Sequence, residues 1–196
     1  MDIFDSVYQS TPPWDIGRPQ KAFVDLAAAG EVTGSVLDVG CGTGENALFF
    51  AERGHDVLGI DTAALAIRKA EEKAARRGLQ ARFLVWNALD LAGLGRTFDT
   101  VIDSGLFHVL SDEDRSRFAG SLTAVLEPGG KYFMLCFSEQ NPGEYPLPRR
   151  NTQEEIQETF REGWSVDYIR PATFENAIQA EGHHAWLASI SRRAQG

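Results

Sequence analysis

One stretch constrains the fold of this chain more than any other, the run Val36-Leu37-Asp38-Val39-Gly40-Cys41-Gly42-Thr43-Gly44-Glu45-Asn46. It opens with a short apolar strand, breaks into glycines at alternate positions, and continues into residues 47–51, which are typical of a helix. Glycines at a strand-to-helix turn permit positive φ and let a ligand approach closely, because they carry no Cβ. Free N–H groups at the start of a helix suit a polar or anionic group. The stretch therefore predicts a ligand-binding turn.

Two acidic residues strengthen this prediction. Asp38 lies just before the glycines, and Asp61 closes a second apolar strand predicted over residues 56–60. Two carboxylates beside a glycine turn suit a ligand that carries a ribose and a positive charge. A nicotinamide dinucleotide is one alternative, because its fingerprint also places an acid about 20 residues after the glycines. Glu45 argues against it, since it occupies the position of the third glycine, where a carboxylate would face a pyrophosphate.

Composition and charge limit the class of protein. The chain has 196 residues with 43% hydrophobic content, which predicts a single domain over residues 1–196. Helical and strand patterns alternate, which favours an α/β fold with a parallel sheet. The net charge of −9 disfavours a nucleic-acid partner, because phosphate binding needs a basic face. Signal-peptide features and membrane-length apolar runs are missing, and Cys41 and Cys136 suit reduced thiols, so we expect a cytoplasmic protein without membrane contact.

The spacing of Gly40, Gly42 and Gly44 after Asp38 resembles the first motif of the class I S-adenosylmethionine-dependent methyltransferases. A Leu-x-Pro-Gly-Gly turn at residues 126–130 resembles a second hallmark of that family. The resemblance extends over residues 14–190. It implies a Rossmann-like, seven-stranded, mostly parallel sheet with helices on both faces and an antiparallel last strand, with its core over residues 35–190. It also implies S-adenosyl-L-methionine as the cofactor and a methyltransferase activity that needs no metal.

The resemblance further implies which residues bind the cofactor. In the family, the glycine turn packs against the methionine part, and the acid that ends the second strand binds the ribose hydroxyls. An Asp that accepts a hydrogen bond from the adenine amino group is replaced here by Asn87, which offers a carbonyl oxygen, and Asp90 is the alternative. The full predicted set is Trp14, Arg18, Asp38, Gly40, Gly42, Gly44, Asn46, Asp61, Thr62, Asn87, Ala88 and Ser104.

The segment before the first strand also carries a resemblance. Its prolines and glycine preclude a regular element until Gln20, and it contains a Trp-x-x-Gly-x-Pro-type sequence that begins at Trp14. Similar segments close over the site in thiopurine methyltransferase-like and tellurite-resistance-like small-molecule methyltransferases. The resemblance implies that residues 1–30 form a lid and a helix, with Trp14 over the cofactor and Arg18 meeting its carboxylate. The alternative is that Trp14 only pins this segment to the core.

The fourth predicted strand, residues 99–103, is the one that faces the transferred methyl group in this family. The Ser104-Gly105-Leu106 that follows lacks the Asn/Asp-Pro-Pro-aromatic sequence of enzymes that methylate adenine or glutamine nitrogens, so nucleic-acid and glutamine substrates are disfavoured. His108 is the histidine placed nearest the reacting carbon. It is predicted as the general base if the acceptor must lose a proton, and as a packing or pocket-shaping residue otherwise.

These inferences predict a methyltransferase that modifies oxygen, nitrogen or sulfur of a small molecule, with an aromatic or heterocyclic acceptor favoured. We expect a monomer or homodimer. Three alternatives remain open: a thiol or halide methyltransferase, a non-catalytic S-adenosylmethionine-binding module, and an NAD(P)-dependent reductase. The four histidines show no spacing that predicts a metal site.

Overall fold

The structure is a computed structural model that describes residues 6–143 and 148–194. Within these residues, seven strands form one sheet. The strands are β1 (Val36–Val39), β2 (Val57–Asp61), β3 (Ala81–Val85), β4 (Phe98–Ser104), β5 (Leu126–Phe137), β6 (Trp164–Phe174) and β7 (His183–Arg192). The α-helices are α1 (Lys21–Ala28), α2 (Glu45–Ala51), α3 (Ala64–Arg77), α4 (Asp112–Leu122) and α5 (Gln153–Thr159). Two 3₁₀-helices span Ala88–Leu94 and Phe107–Val109.

The strand order is β3-β2-β1-β4-β5-β7-β6. Neighbouring strands from β3 to β5 pair in parallel, whereas β7 pairs antiparallel with both β5 and β6. The predicted Rossmann-like, mostly parallel sheet with an antiparallel last strand is therefore confirmed. Because β7 runs opposite to the others, its first residue lies at the same edge as the last residues of β5 and β6. This edge also holds the glycine turn that follows β1.

Alternating side chains from the strands build two cores, one on each face of the sheet. In β1, Leu37 and Val39 join one core and Val36 joins the other. The first core is completed by α4, α5 and the longer 3₁₀-helix, and the second by α1, α2 and α3. Each fully buried Leu, Ile, Val or Phe side chain contributes about 1.5–3 kcal/mol. The helices thus lie on both faces, as predicted, and the two cores hold the strand ends rigidly in place.

The sequence predicts helix starts at Ser111-x-x-Asp114 and Thr152-x-x-Glu155 and a helix over residues 63–77 that ends before Gly78, and the capping interactions agree. The Ser111 hydroxyl accepts from the Asp114 N–H at 3.1 Å at the start of α4. Thr152 and Glu155 form the reciprocal capping box predicted for α5, with bonds of 3.1 and 2.8 Å. The last helical turn of α3 ends at Gly78, which adopts φ of +66°. Across residues 6–143 and 148–194, none of the helices combines the length and apolar character needed to cross a membrane.

The fifth strand departs from its predicted bounds. The sequence predicts a strand over residues 131–137 after a helix stopped by Pro128-Gly129-Gly130, but β5 begins at Leu126 and contains that turn. The register between β4 and β5 shifts between Phe98 and Thr100, and Gly129 adopts φ of +86°. A bulge of this kind accommodates a proline that cannot donate to the ladder. The closing strands also extend beyond their predicted spans, residues 164–169 and 185–190.

The packing of the glycine turn can be tested by comparing Gly44, which lies in the turn, with Gly78, which follows α3. Gly44 and Gly78 both adopt the left-handed conformation, with φ of +84° and +66°. A Cβ on Gly44 would lie 2.9 Å from atoms of both Ala70 and Phe83, whereas a Cβ on Gly78 would meet open space. We expect Gly78→Ala to lower the free energy of unfolding by about 1–2 kcal/mol through backbone strain alone. Gly44→Ala should cost about 1–3 kcal/mol more through overpacking. Urea unfolding measures both, and equal costs would contradict this packing.

Candidate active site

The predicted site residues meet at one edge of the sheet. The glycine turn follows β1, Asp61 ends β2, Asn87 follows β3 and Ser104 ends β4. Parallel strands bring their carboxyl ends to a common edge, where open α/β sheets bind ligands. The structure therefore assembles side chains that are separated by more than 60 positions in the chain.

Asp61 is fixed against the glycine turn. Its Oδ2 accepts from the Gly42 N–H at 2.9 Å, and its Oδ1 accepts from the Ala63 N–H at 2.9 Å. These bonds tie the end of β2 both to the turn and to the start of α3. A carboxylate has about four acceptor positions, so this geometry is compatible with additional bonds from ribose hydroxyls. Thr62, the next predicted cofactor residue, is exposed beside it.

Asp38 is a buried carboxyl with unsatisfied hydrogen-bonding capacity. Only 1% of its surface is exposed, and among the described residues its Oδ2 has no hydrogen-bond partner. Burial raises its pKa well above the usual range, and the charges of Asp103 and Asp61 add to the effect, opposed by a bond from the Ala47 backbone. A buried polar atom without a partner is costly and therefore calls for a bound group. A cationic N–H donor from a ligand would satisfy this oxygen and favour its ionised form.

The glycines of the turn are required by protein neighbours. A Cβ on Gly40 would lie 3.1 Å from Leu106, and a Cβ on Gly42 would lie 2.7 Å from the hydroxyl of Tyr8. A Cβ on Gly44 would lie equally close to Ala70 and Phe83. At each of the three glycines, a side chain from another part of the chain therefore occupies the space that a Cβ would need. Close packing of the protein is thus one reason for glycine at these positions, and the close approach of a ligand to this turn stays a prediction. Positive φ at all three positions agrees with the prediction.

The N-terminal segment lies against this turn. Tyr8 is buried, its hydroxyl accepts from the Trp14 Nε1–H at 3.1 Å, and Lys69 Nζ donates to its carbonyl oxygen at 2.7 Å. Burial raises the pKa of Tyr8, and the charge of Asp61 raises it further. Trp14 itself stays 43% exposed. Sequence reasoning missed Tyr8, although an aromatic residue six positions before Trp14 in an irregular segment was an available signal.

A partly buried ionic network connects the same segment to the turn. Lys73 Nζ lies 2.7 Å from Glu45, donates to the Thr43 hydroxyl at 2.6 Å, and lies 3.8 Å from Asp15. Arg77 also binds Glu45, at 2.9 Å. Burial by itself would raise the pKa of Glu45, but the bonds from Lys73 and Arg77 lower it below the usual range. The carboxylate at the third-glycine position is therefore neutralised from within the protein.

Two predicted cofactor residues contact protein groups away from the turn. The Arg18 guanidinium lies 2.9 Å from Glu175, and its side chain is largely exposed. The Asn46 Oδ1 accepts from the Gln20 N–H at 3.0 Å. Both contacts anchor the beginning of α1. The structure does not bring Arg18 to the glycine turn, and its contact with a cofactor carboxylate stays a prediction.

The loop after β3 is shaped by Asn87. Its Oδ1 accepts from the Leu89 N–H at 2.9 Å and caps the 3₁₀-helix that begins at Ala88. The carbonyl oxygen predicted to face an adenine is therefore already in use, although it retains a second lone pair. Ala88 is buried, and the alternative acid, Asp90, is exposed.

Asp103 organises the turn that leaves β4. Its buried carboxyl accepts from the N–H groups of Leu106 and Phe107, at 2.7 and 3.0 Å, and from the Tyr132 hydroxyl at 2.9 Å. Burial raises its pKa to about 7 against the opposing effect of these three bonds. The bonds fix the turn that contains Ser104. Sequence reasoning missed Tyr132, which was signalled as the one hydroxyl within an apolar strand.

His108 has a defined protonation state. It is buried, and its Nδ1 accepts from the Phe137 N–H at 3.1 Å. A backbone N–H can only donate, so Nδ1 carries the lone pair and Nε2 of the neutral ring carries the hydrogen. Burial lowers its pKa to about 3, and the buried guanidinium of Arg115 contributes to that shift. In this geometry the ring offers a donor at Nε2, and a nearby cation opposes its protonation, so the general-base role of His108 stays a prediction.

An aromatic cluster surrounds this histidine, made of His108, Phe137, Phe174 and His183. Ring centroids lie 4.7 Å apart for His108 and Phe137, 5.1 Å for Phe137 and Phe174, and 4.7 Å for Phe137 and His183. Gly105, with φ of +92°, adjoins it, since a Cβ there would lie 3.1 Å from both His108 Nε2 and the Phe174 ring. The cluster forms an aromatic surface beside the end of β4. Apart from His108, its members were missed, because they come from three different strands.

Among the described residues, neither a cluster of metal-ligating side chains nor a disulfide is found. In the part of the chain that the structure describes, no group of three or more His, Cys, Asp or Glu side chains could hold a metal ion. Cys41 and Cys136 are both free thiols. Burial raises the pKa of each, and neighbouring aspartates raise it further.

Known proteins share both the sequence and the fold. Residues 36–130 match the family described as methyltransferase domain. The 2-heptyl-1-hydroxyquinolin-4(1H)-one methyltransferase of Mycobacteroides abscessus is 38% identical over 181 residues, which cover 87% of this chain and 80% of that protein. The demethylmenaquinone methyltransferase of Thermus thermophilus is 36% identical over 135 residues, which cover 68% of this chain and 60% of that protein.

Solved structures of other proteins share the fold of this chain. One, from work on the conversion of a disulfide bond into a thioacetal group during echinomycin biosynthesis, has a TM-score of 0.90 at 37% identity and covers 99% of this chain and 93% of its own. Magnesium protoporphyrin IX methyltransferase of Synechocystis PCC 6803, solved with bound S-adenosylmethionine, has a TM-score of 0.66 at 21% identity, covers 88% of this chain and 76% of its own, and supports the fold.

The family match begins at Val36 and therefore includes the glycine turn and both acids beside it, and the solved structures share the fold. Together they decide between the two cofactors considered from the sequence, in favour of S-adenosylmethionine over a nicotinamide dinucleotide. The chain belongs to the S-adenosylmethionine-dependent methyltransferases and transfers a methyl group to a small molecule.

Proposed function

We propose that the acceptor is a hydroxyl group carried by a flat aromatic heterocycle. The aromatic cluster beside the end of β4 is the observation that carries this proposal, because aromatic side chains favour flat aromatic partners in stacked or edge-to-face contact. The relative from Mycobacteroides abscessus supports it, since the compound in its name has a hydroxyl on a quinolone ring. Sulfur is the second candidate acceptor atom, favoured by the 37%-identical structure from thioacetal formation.

The cofactor residues follow from the geometry of the turn. Asp61 would accept from the ribose hydroxyls, and the buried Asp38 would accept from the amino group of the methionine part through its unsatisfied Oδ2. When bound, S-adenosylmethionine supplies a methyl group that passes to the acceptor oxygen as its bond to sulfur breaks, so neutral S-adenosylhomocysteine leaves and no redox partner is needed. Residues 6–15 cover the turn as a lid, with Tyr8 and Trp14 as its inner surface.

His108 holds the acceptor oxygen by donation from Nε2–H. Its Nδ1 is occupied by the Phe137 N–H, so the ring serves as a donor of fixed orientation. A hydroxyl on a ring nitrogen conjugated with a carbonyl is acidic, because its anion is delocalised, and it loses its proton to solvent. A neutral donor with the Arg115 cation nearby favours the bound oxyanion. The net charge of −9 disfavours a nucleic-acid partner. We expect the protein to act as a monomer or homodimer in the cytoplasm.

A matched set of acceptors tests the reaction. Methyl-labelled S-adenosylmethionine is offered with 2-heptyl-1-hydroxyquinolin-4(1H)-one, with the same quinolone lacking the N-hydroxyl, and with an alkyl thiol. We expect label on the hydroxyl oxygen of the first compound and background levels on the second, as read by mass spectrometry of the products. Faster transfer to the thiol would favour the sulfur candidate and contradict the proposal.

Asp61 gives a test of cofactor binding. Asp61→Ala removes a carboxylate proposed to accept from the ribose and also frees the Gly42 N–H from its bond. Loss of charge-assisted bonds costs about 1.5–3 kcal/mol, so the Kd for S-adenosylhomocysteine should rise about 10- to 150-fold by calorimetry. Asp56→Ala is the control, since this exposed acid pairs with Arg82 and Arg96. An unchanged Kd in a folded Asp61→Ala protein would remove Asp61 from the site.

His108→Asn separates donation from base catalysis. The Asn Oδ1 can replace Nδ1 as the acceptor for the Phe137 N–H, while the Nε2–H donor is lost. We expect kcat/KM for the quinolone to fall about 10- to 100-fold, as for one hydrogen bond to a charged group. The pH profile should keep its shape, because a group whose pKa is about 3 stays neutral above pH 5. Loss of a rising limb from the profile would instead support the general base.

The lid is tested through Trp14. Of the four tryptophans, Trp164 and Trp186 are buried, Trp86 is half-buried beside Asn87, and Trp14 is 43% exposed. We expect S-adenosylhomocysteine to reduce acrylamide quenching in the Trp86→Phe protein and to have little effect on quenching in the Trp14→Phe, Trp86→Phe double variant, because closed segments exclude solvent. Asp15→Asn, which removes the ion pair with Lys73 and keeps the pair between Lys73 and Glu45, should raise the Kd for the cofactor product. If the ligand does not change the quenching, Trp14 only packs the N-terminal segment against the core.

A further inference from the structure

We propose that Phe137 and His183 form a stacking wall for the acceptor, and that the ring of His183 determines the preference for flat aromatic acceptors over saturated ones. This inference rests on the proposed function and specifies its acceptor subsite. His183 was singled out in the sequence only by its place before the last strand.

The topology of the sheet brings the wall to the reacting edge. Phe137 is the last residue of β5, Phe174 is the last residue of β6, and His183 is the first residue of β7. Phe174 and His183 are register partners across the antiparallel pair. The reversed direction of β7 therefore places the His183 ring at the same edge as Ser104, where the fourth strand ends.

Burial divides the aromatic cluster into an inner and an outer pair. His108 and Phe174 are 6% and 4% exposed, whereas Phe137 and His183 are half-buried. The inner rings meet Phe137 at interplanar angles of 67° and 76°, an edge-to-face arrangement that fixes its orientation. Phe137 and His183 are inclined to each other by 37° with centroids 4.7 Å apart. Phe137 and His183 thus form a supported aromatic surface against which the ring of an acceptor can stack.

The charge around His183 suits an acceptor that binds as an anion. Burial lowers the pKa of His183, and the nearby Arg150 and His184 add to the effect, so the imidazole is a neutral flat ring at physiological pH. The Arg150 guanidinium is held by the Pro142 carbonyl at 2.7 Å. A neutral ring next to a fixed cation attracts a delocalised anion without losing the ability to stack.

Equilibrium binding to protein loaded with S-adenosylhomocysteine tests the wall without requiring turnover. The probes are 1-hydroxyquinolin-4(1H)-one, which is flat, and 1-hydroxypiperidin-2-one, which keeps an N-hydroxyl near a carbonyl on a saturated ring. The variants are His183→Ala, His183→Phe and Phe137→Leu. His184→Ala is the matched control, because His184 is the exposed next residue of the strand and its backbone makes the contacts with Asn141.

We expect His183→Ala and Phe137→Leu to weaken binding of the flat probe about 3- to 10-fold, as for loss of one aromatic contact. His183→Phe should stay within about 2-fold of the parent, and His184→Ala should match it. Binding of the saturated probe should change little in any variant. An affinity for S-adenosylhomocysteine equal to that of the parent shows that the fold of each variant is intact.

Three outcomes would overturn the wall: a parent protein that does not bind the flat probe, a His183→Ala protein that binds it like the parent, or equal weakening of both probes. Failure of the proposed function looks different. In that case the parent binds the flat probe but transfers no methyl group to its hydroxyl, and the variants still decide whether the wall exists.

Discussion

Three hydrogen bonds to the buried carboxyl of Asp103 connect the two halves of this active site. The Leu106 and Phe107 N–H groups and the Tyr132 hydroxyl donate to it. Leu106 in turn packs where Gly40 lacks a Cβ, on the cofactor side. The 3₁₀-helix that begins at Phe107 carries His108 on the acceptor side. A disturbance at Asp103 would therefore move both the glycine turn and the acceptor-binding ring, although Asp103 need not touch either ligand.

The site also has two electrostatic halves of opposite sign. On the cofactor side, burial raises the pKa of Asp38 and the charges of Asp103 and Asp61 raise it further, so a cationic ligand would favour its ionised form. On the proposed acceptor side, burial lowers the pKa of His108 and that of His183, and the cations Arg115 and Arg150 add to the respective shifts. The sulfonium of the cofactor and the proposed oxyanion acceptor are the pair of charges that such a division would favour. An acceptor that binds as the anion would need no residue acting as a base.

Local patterns in the sequence were sufficient for the fold and for the cofactor's identity. The glycine spacing and the capping residues Ser111 and Thr152 each act over a few residues, and the structure shows the expected turn and helix starts there. The tautomer and the pKa of His108 could not be predicted from local patterns. Its tautomer depends on the Phe137 N–H, 29 positions away, and its pKa depends on the buried Arg115. Similarly, the start of β5 depends on a bulge opposite Phe98 that apolar periodicity cannot reveal.

The proposed acceptor half could not be predicted from the sequence, because the topology of the sheet brings its residues together. Its aromatic surface combines the end of β5, the end of β6 and the start of β7, and only the reversed direction of β7 brings His183 to that edge. The cofactor half, by contrast, comes from β1, β2 and the turns beside them. Because the two halves come from different strands and meet at the turn after Asp103, we expect substitutions at the proposed wall, Phe137 and His183, to alter acceptor preference while the bond between Gly42 and Asp61 is retained. The same sheet can therefore hold one cofactor and accept different small molecules.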